Sequence, residues 1–218
     1  MICDLRILAI FLFALCGCGT TQLLRPVGAG QTRASVSLGG PLIVFGGAPV
    51  ALPVSTLGLA HGVTDSLDVH GDLHPTAAAF GVAGLDLGVA WHPLRRRRAL
   101  TLGFDAYGFG NGPDAVLLAD PWIGGQARVA PWLSLGAGAH LGLRVATTSS
   151  YQRGLTPVAP TLFLQAAFHL GRTTIEVEPR WYGIGSCADC TAPDYLSPGT
   201  GALGLVLGLS YDVNGAAR

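Results

Sequence analysis

Between Trp132 and Val145 the chain reads WLSLGAGAHLGLRV. Odd positions there are Leu, Ala or Val, and even positions are Trp, Ser, Gly, His or Arg. A period of two marks a β-strand whose two faces meet different surroundings. The same alternation recurs along the chain and predicts ten strands: Gln31–Leu38, Val54–Ala60, Ser66–His74, Ala83–Trp91, Ala99–Phe109, Val116–Val129, Trp132–Val145, Thr161–Leu170, Thr173–Tyr182 and Gly201–Val213. Most have about the length of a tilted membrane strand, ~9–11 residues. Pro121 donates no N–H to a ladder, so it is expected at the outer end of the sixth strand.

Assigning parity strand by strand separates the chemistry. One face collects Leu67, Val69, Leu73, Leu85, Leu87, Val89, Leu133, Leu135, Leu141, Leu143, Leu203, Leu205, Leu207 and Leu209, and no charge at mid-strand. The other collects Arg33, Asp68, His70, Asp72, His74, Asp86, Asp105, Arg128, His140, Arg144, His169, Glu176, Glu178, Arg180 and Asp212. Grease on one face of every strand and charge on the other fits lipid outside and a polar interior. A soluble ligand-binding barrel inverts that order, with polar residues outside and an apolar cavity within. The expected fold is therefore all-β: a single antiparallel up-and-down transmembrane β-barrel of about ten strands, with eight as the fallback.

The connections support this independently. Those after odd-numbered strands are mostly long (39–53, 75–82, 110–115, 146–160, 183–200), and those after even-numbered strands are shorter (61–65, 92–98, 130–131, 171–172). Short turns at one end and long loops at the other are the pattern of barrels whose turns are periplasmic. An even strand number returns the chain to the end where it began.

Composition sharpens the picture at three points. Charged residues are 12% of the 218, about half the proportion of an average soluble domain. Mean hydropathy is +0.47, yet no apolar run past the N-terminus is long enough for a membrane helix. Net charge is zero and lysine is absent, so nothing supports nucleic-acid binding. Glycines at 136, 138, 142, 204 and 208 fall on the inward face of the seventh and tenth strands and leave space there. Inward carboxylates outnumber inward arginines. A closed or very narrow lumen, weakly cation-selective at neutral pH, is expected.

Asp68-x-His70-x-Asp72-x-His74 is the most suggestive inward column, since same-face neighbours stand ~6.5–7 Å apart. Such a column can hold a metal or relay protons. The simpler expectation is that its carboxylates pair with Arg128, Arg144 and Arg180 across the lumen, because buried charges require partners. No cofactor or metal is expected. An enzyme acting on envelope lipids is the rival reading, with His140, Ser134 and Asp105 as candidates; their inward placement weighs against it. Trp91, Trp122, Trp132, Trp181 and Tyr182 fall near strand ends, where interfacial girdles place aromatics. Cys187-Ala188-Asp189-Cys190 lies in the last long loop and suits a small disulfide loop in an oxidising compartment.

Two short stretches carry resemblances. Ile7 to Leu15 is an apolar segment of signal-peptide length, followed by Leu15-Cys16-Gly17-Cys18. This resembles the bacterial lipobox, with an apolar residue three before the modified cysteine and a small one directly before it. The resemblance implies export, removal of residues 1–17, lipidation of Cys18, and sorting to the outer membrane with the N-terminus in the periplasm. Gly208-Leu209-Ser210-Tyr211-Asp212-Val213 resembles the C-terminal signal of bacterial outer-membrane proteins, although residues 214–218 continue past it. With the hairpin rhythm, the chain is similar to small outer-membrane barrels of the OmpA/OmpX type. That resemblance spans about residues 31–213 and implies no catalytic residues. It leaves 18–30 as an anchored linker and 214–218 as a tail. The partners implied are outer-membrane lipids and the barrel-assembly and lipoprotein-sorting machinery, around a monomer. The role expected is non-enzymatic, structural, adhesive or a narrow solute passage, with a lipid-tethered soluble ligand-binding β-barrel as a further alternative.

Overall fold

The computed structural model describes residues 21–45, 47–95, 98–112, 114–148, 158–185 and 195–214. In chain order these form β1 (Thr32–Phe45), β2 (Ala48–Ala51), β3 (Val54–Gly62), β4 (Leu67–Leu73), α1 (Pro75–Ala79), β5 (Ala83–Arg95), β6 (Arg98–Gly110), β7 (Ala115–Ala130), β8 (Leu133–Thr147), β9 (Val158–Leu170), β10 (Thr173–Tyr182) and β11 (Ala202–Asp212). Neighbours pair antiparallel, and β11 returns to pair with β1 from Arg33↔Asp212 to Pro41↔Gly204. The sheet is thus a closed barrel of ten strands, β1 and β3 to β11. Closure leaves no edge to be solvated or to recruit another chain.

β2 is not a stave. It pairs only with Leu42–Phe45 of β1, making a hairpin that extends one end of that strand. The alternation suggests that the first strand ends at Leu38, with residues 39–53 as a connection. The strand instead runs through, with Gly39 at φ 145° and pressed against the Leu205 carbonyl, where a side chain would collide. Only glycine takes that place at no cost.

Pro121 likewise lies inside β7 rather than at its end. It faces Phe104 of β6, while the ladder to β8 lapses between Ala119↔Leu143 and Trp122↔His140. Its missing N–H therefore falls in the lapse. α1 was hidden for another reason: five residues are too few to show a helical period, although Pro75 at its start is a familiar first-turn residue.

The pleat sorts side chains as the alternation predicts. In β3, Val54, Thr56, Ala60 and Gly62 are buried, whereas Leu57 and Leu59 point out at 52% and 61% exposure. Every outward leucine and valine named above is exposed or half-exposed, and none is buried. So large an uncovered apolar surface suits lipid, not water. One rim carries Trp91, Trp132 and Tyr211, all exposed, with Trp132 stacked on Phe168 at 6.2 Å. That rim is the end with the short turns, and the other end carries the long connections.

Candidate functional site: the barrel lumen

The interior is filled in three layers. At the loop end, Tyr107, Phe109, Val116 and Tyr182 from the wall meet Ala77 of α1 and Val82, all buried in one apolar cluster. This cluster caps the lumen.

Below it lies a belt of ionisable groups. On the β4–β8 side the carboxylates meet histidines. His70 Nε2 stands 2.8 Å from Asp105 Oδ1, His74 Nε2 3.2 Å from Asp86 Oδ2, His92 Nε2 2.9 Å from Asp68 Oδ2, and His140 Nδ1 2.8 Å from Asp120 Oδ2. The Tyr107 hydroxyl donates to Asp105, and Asp72 is buried close by. A cavity of about 40 Å³ opens beside them, bordered by Ser35, His70, Asp72, Asp86 and the first described residues of the chain.

The opposite wall uses arginine. Arg180 Nε donates to Glu178 Oε1 at 2.6 Å, with both side chains buried, and Arg33 pairs with Asp212 at 2.8 Å across the β1–β11 seam. A charge taken from water needs such a partner.

The third layer comes from the chain itself. Residues 21–30, expected as a linker outside the barrel, lie inside it. Gly28 (φ 99°) and Gly30 (φ 70°) reverse the chain at the turn end, so the segment ahead of β1 runs into the lumen. Leu24 and Val27 are 1% exposed, and Leu24 packs with Ala90, Trp122 and Phe163. The Val27 N–H donates to Asp68, the Gln22 N–H to Glu178 and the Thr21 hydroxyl to Glu176. The Leu24 carbonyl accepts from Thr101 and the Gln22 carbonyl from Gln165.

This layer explains the inward glycines. A Cβ at Gly124 or Gly136 would strike Leu24, and one at Gly208 would strike Thr21. At Gly138 it would strike Phe163, and at Gly204 Tyr182. The space predicted at Gly136, Gly138, Gly204 and Gly208 is therefore occupied by the segment and by lumenal rings, while Gly142 meets only Ala159 of the next strand.

The lumen corrects the expected pairing. The Asp68–His74 column does not meet Arg128, Arg144 and Arg180. Arg128 is exposed at the turn and donates to the Pro131 carbonyl. Arg144 Nη1 is buried with no hydrogen-bond partner among the described residues. Arg180 takes Glu178 of its own strand. Asp68 meets His92 of the neighbouring strand instead, and the column's own His70 and His74 meet Asp105 and Asp86.

The girdle is corrected too. Trp91 and Trp132 sit on the outer rim, but Trp122 and Tyr182 are buried inside the barrel. Trp122 fits against Gly103, which has no side chain to block it. Trp181 is half-exposed and donates to the Thr200 carbonyl. Asp120, His92 and Gln165 were missed as interior residues. Reading Pro121 and His92 as strand ends hid the first two, and parity carried through Pro121 recovers Asp120.

The enzymatic candidates do not converge. Asp105 serves His70 and Tyr107, His140 serves Asp120, and Ser134 Oγ lies 2.8 Å from His169 Nε2. His169 Nδ1 then meets the Thr174 hydroxyl, not a carboxylate, so no Ser-His-acid relay forms there. Among the described residues, no three His, Cys, Asp or Glu side chains are grouped to hold a metal. Cys18, Cys187 and Cys190 lie outside the described residues.

No protein-family model matches the chain, and neither does any curated protein. Among solved structures, an outer membrane channel from Pseudomonas putida F1 superposes with a TM-score of 0.53 at 13% identity, over 88% of this chain and 99% of that one. The NanC porin gives 0.47 at 9% identity, over 84% and 99%, and the outer membrane protease OmpT from Escherichia coli gives 0.40 at 14%, over 84% and 96%. The likeness to the Pseudomonas channel is one of fold: both are antiparallel β-barrels.

Proposed function

We propose that this chain is an exported bacterial outer-membrane barrel, non-enzymatic, whose role is narrow solute passage. One observation carries the reading. Leucines and valines stand bare on the outside of every stave, while carboxylates, histidines and arginines are buried and paired within. The arrangement suits a barrel with lipid around it and a polar path down its middle. The unlike ends support an orientation with the short turns, the start of β1 and the Trp–Tyr rim toward the periplasm. The C-terminal motif and the exported leader agree with that placement. Outer-membrane lipids and the barrel-assembly machinery are its partners, and the barrel acts as a monomer similar in plan to the OmpA/OmpX type, with two more staves than an eight-stranded barrel.

The reading includes an acyl anchor at Cys18 and a disulfide between Cys187 and Cys190. Cys18 stands three residues ahead of Thr21, about 10 Å of chain at full extension. Acyl chains do not belong beside lumenal carboxylates, so anchoring requires residues 21–30 to leave the lumen. Mass spectrometry of the mature N-terminus decides the anchor: an unacylated N-terminus at another residue refutes it. Planar-bilayer recording of the purified, refolded protein tests passage. Discrete cation-preferring openings support it, and a folded barrel that stays silent under all conditions contradicts it.

A further inference from the structure

The segment inside the lumen does not belong to the sheet. Beyond the single bridge Ala29↔Gly62, its backbone joins no ladder, and the ten staves pair completely without it. It can leave without breaking the barrel. The wall it covers is not complementary to itself. With the segment gone, Glu176 loses its hydroxyl donor, Glu178 and Asp68 keep Arg180 and His92 but each lose a backbone donor, and Gly124, Gly136 and Gly208 line open space. Toward each of these carboxylates the segment presents a donor: a hydroxyl, then two backbone N–H groups. Its only charged side chain, Arg25, is a cation.

We propose that residues 21–30 form a displaceable plug seated in a site for a small cationic solute bearing several N–H donors, such as an ammonium or guanidinium compound, entering from the turn end. This rests on the solute-passage reading and names its solute class. Charge-assisted hydrogen bonds from a cation to Glu176, Glu178 and Asp68 replace the weaker neutral donors of the plug. The adjoining cavity beside Asp72 and Asp86 extends the acidic surface toward the loop end. Clefts lined by one sign of charge concentrate ions of the other.

The test uses a thiol at Ser35→Cys, which borders the cavity ahead of Thr21, in a chain whose five native cysteines are serine. Its labelling by a cationic (trimethylammonium) and an anionic (sulfonate) methanethiosulfonate is timed in detergent micelles. The plug is ejected by Leu24→Asp with Val27→Asp, or removed by starting the chain at Gln31, and heat-modifiable migration reports folding. With the plug seated, labelling is slow. With it displaced, the cationic reagent reacts more than about tenfold faster, and the anionic reagent lags by a similar factor, the scale of electrostatic focusing in a charged cleft. Equal rates with and without the plug, or an anionic reagent as fast as the cationic one, overturn the proposal.

Should neither variant fold, a Leu24→Cys thiol in the otherwise intact barrel gives the answer. Agmatine speeds its labelling and sodium chloride of equal ionic strength does not; no effect of agmatine overturns the proposal. A barrel that passes these tests yet carries no current keeps the site and loses only the passage reading.

Discussion

Asp86 and Leu87 are consecutive in β5, yet one is 2% exposed and hydrogen-bonded to His74 and the other is 58% exposed. The two faces of the barrel obey different rules. Outside, a residue need only be apolar, and almost any leucine or valine serves, because lipid makes no specific demands. Inside, each polar group must find a particular partner, since desolvation without one costs on the order of 1–3 kcal/mol. The outer face is a composition and the inner face is a set of pairs.

That difference predicts the largest effect at the outer face. Leu87→Arg puts a charge near mid-strand in lipid and should cost ~2–4 kcal/mol of folding stability, measured by urea unfolding in vesicles. Leu87→Ala should cost far less. If the arginine is tolerated as well as the alanine, β5 does not face lipid.

At the inner face, Asp68→Ala strips both His92 and the Val27 N–H of their acceptor. A loss of about 1–3 kcal/mol is expected, the penalty for leaving buried groups unsatisfied. Asp68→Asn should recover part of it, because the amide oxygen still accepts. Identical stabilities for the two variants would show that the pairing contributes nothing.

The smallest effect belongs to the rim. Trp132 stacks on Phe168 where lipid meets water, and Trp132→Ala should remove roughly 0.5–1.5 kcal/mol beyond the loss of buried area. A double-mutant cycle with Phe168→Ala isolates this, and zero coupling would dismiss the stack.

The same contrast decides what was legible in the sequence. Parity depends only on a residue's own strand, so the ten staves, their antiparallel order and the outward leucines follow from the alternation alone. Partnership depends on register between strands. The histidines that meet Asp68, Asp86, Asp105 and Asp120 lie on β4, just past its end at His74, on β5 and on β8, twelve to thirty-five positions away in sequence and beyond what a single strand's pattern encodes. Local exceptions hid more: Gly39-Gly40-Pro41 and Pro121 resemble strand ends but lie within strands. The plug was invisible because T-Q-L-L-R-P-V-G-A-G has no period, and a segment without period reads as a linker. Its trace was nonetheless present in the wall, as glycines on the inward face with nothing in the sequence to fill them.

The orientation of both faces toward lipid and lumen is tested most directly by tryptophan quenching. Single-tryptophan variants keep one of Trp91, Trp122 or Trp132 and replace the rest with phenylalanine. Each is refolded into vesicles with and without brominated lipid chains. Trp91 and Trp132, at 50% and 54% exposure on the outer rim, should be strongly quenched, and Trp122, at 4% inside the lumen, should be unaffected. Quenching of Trp122 equal to that of Trp91, or no quenching at any of the three, would contradict a barrel with its leucines in lipid and its charges within.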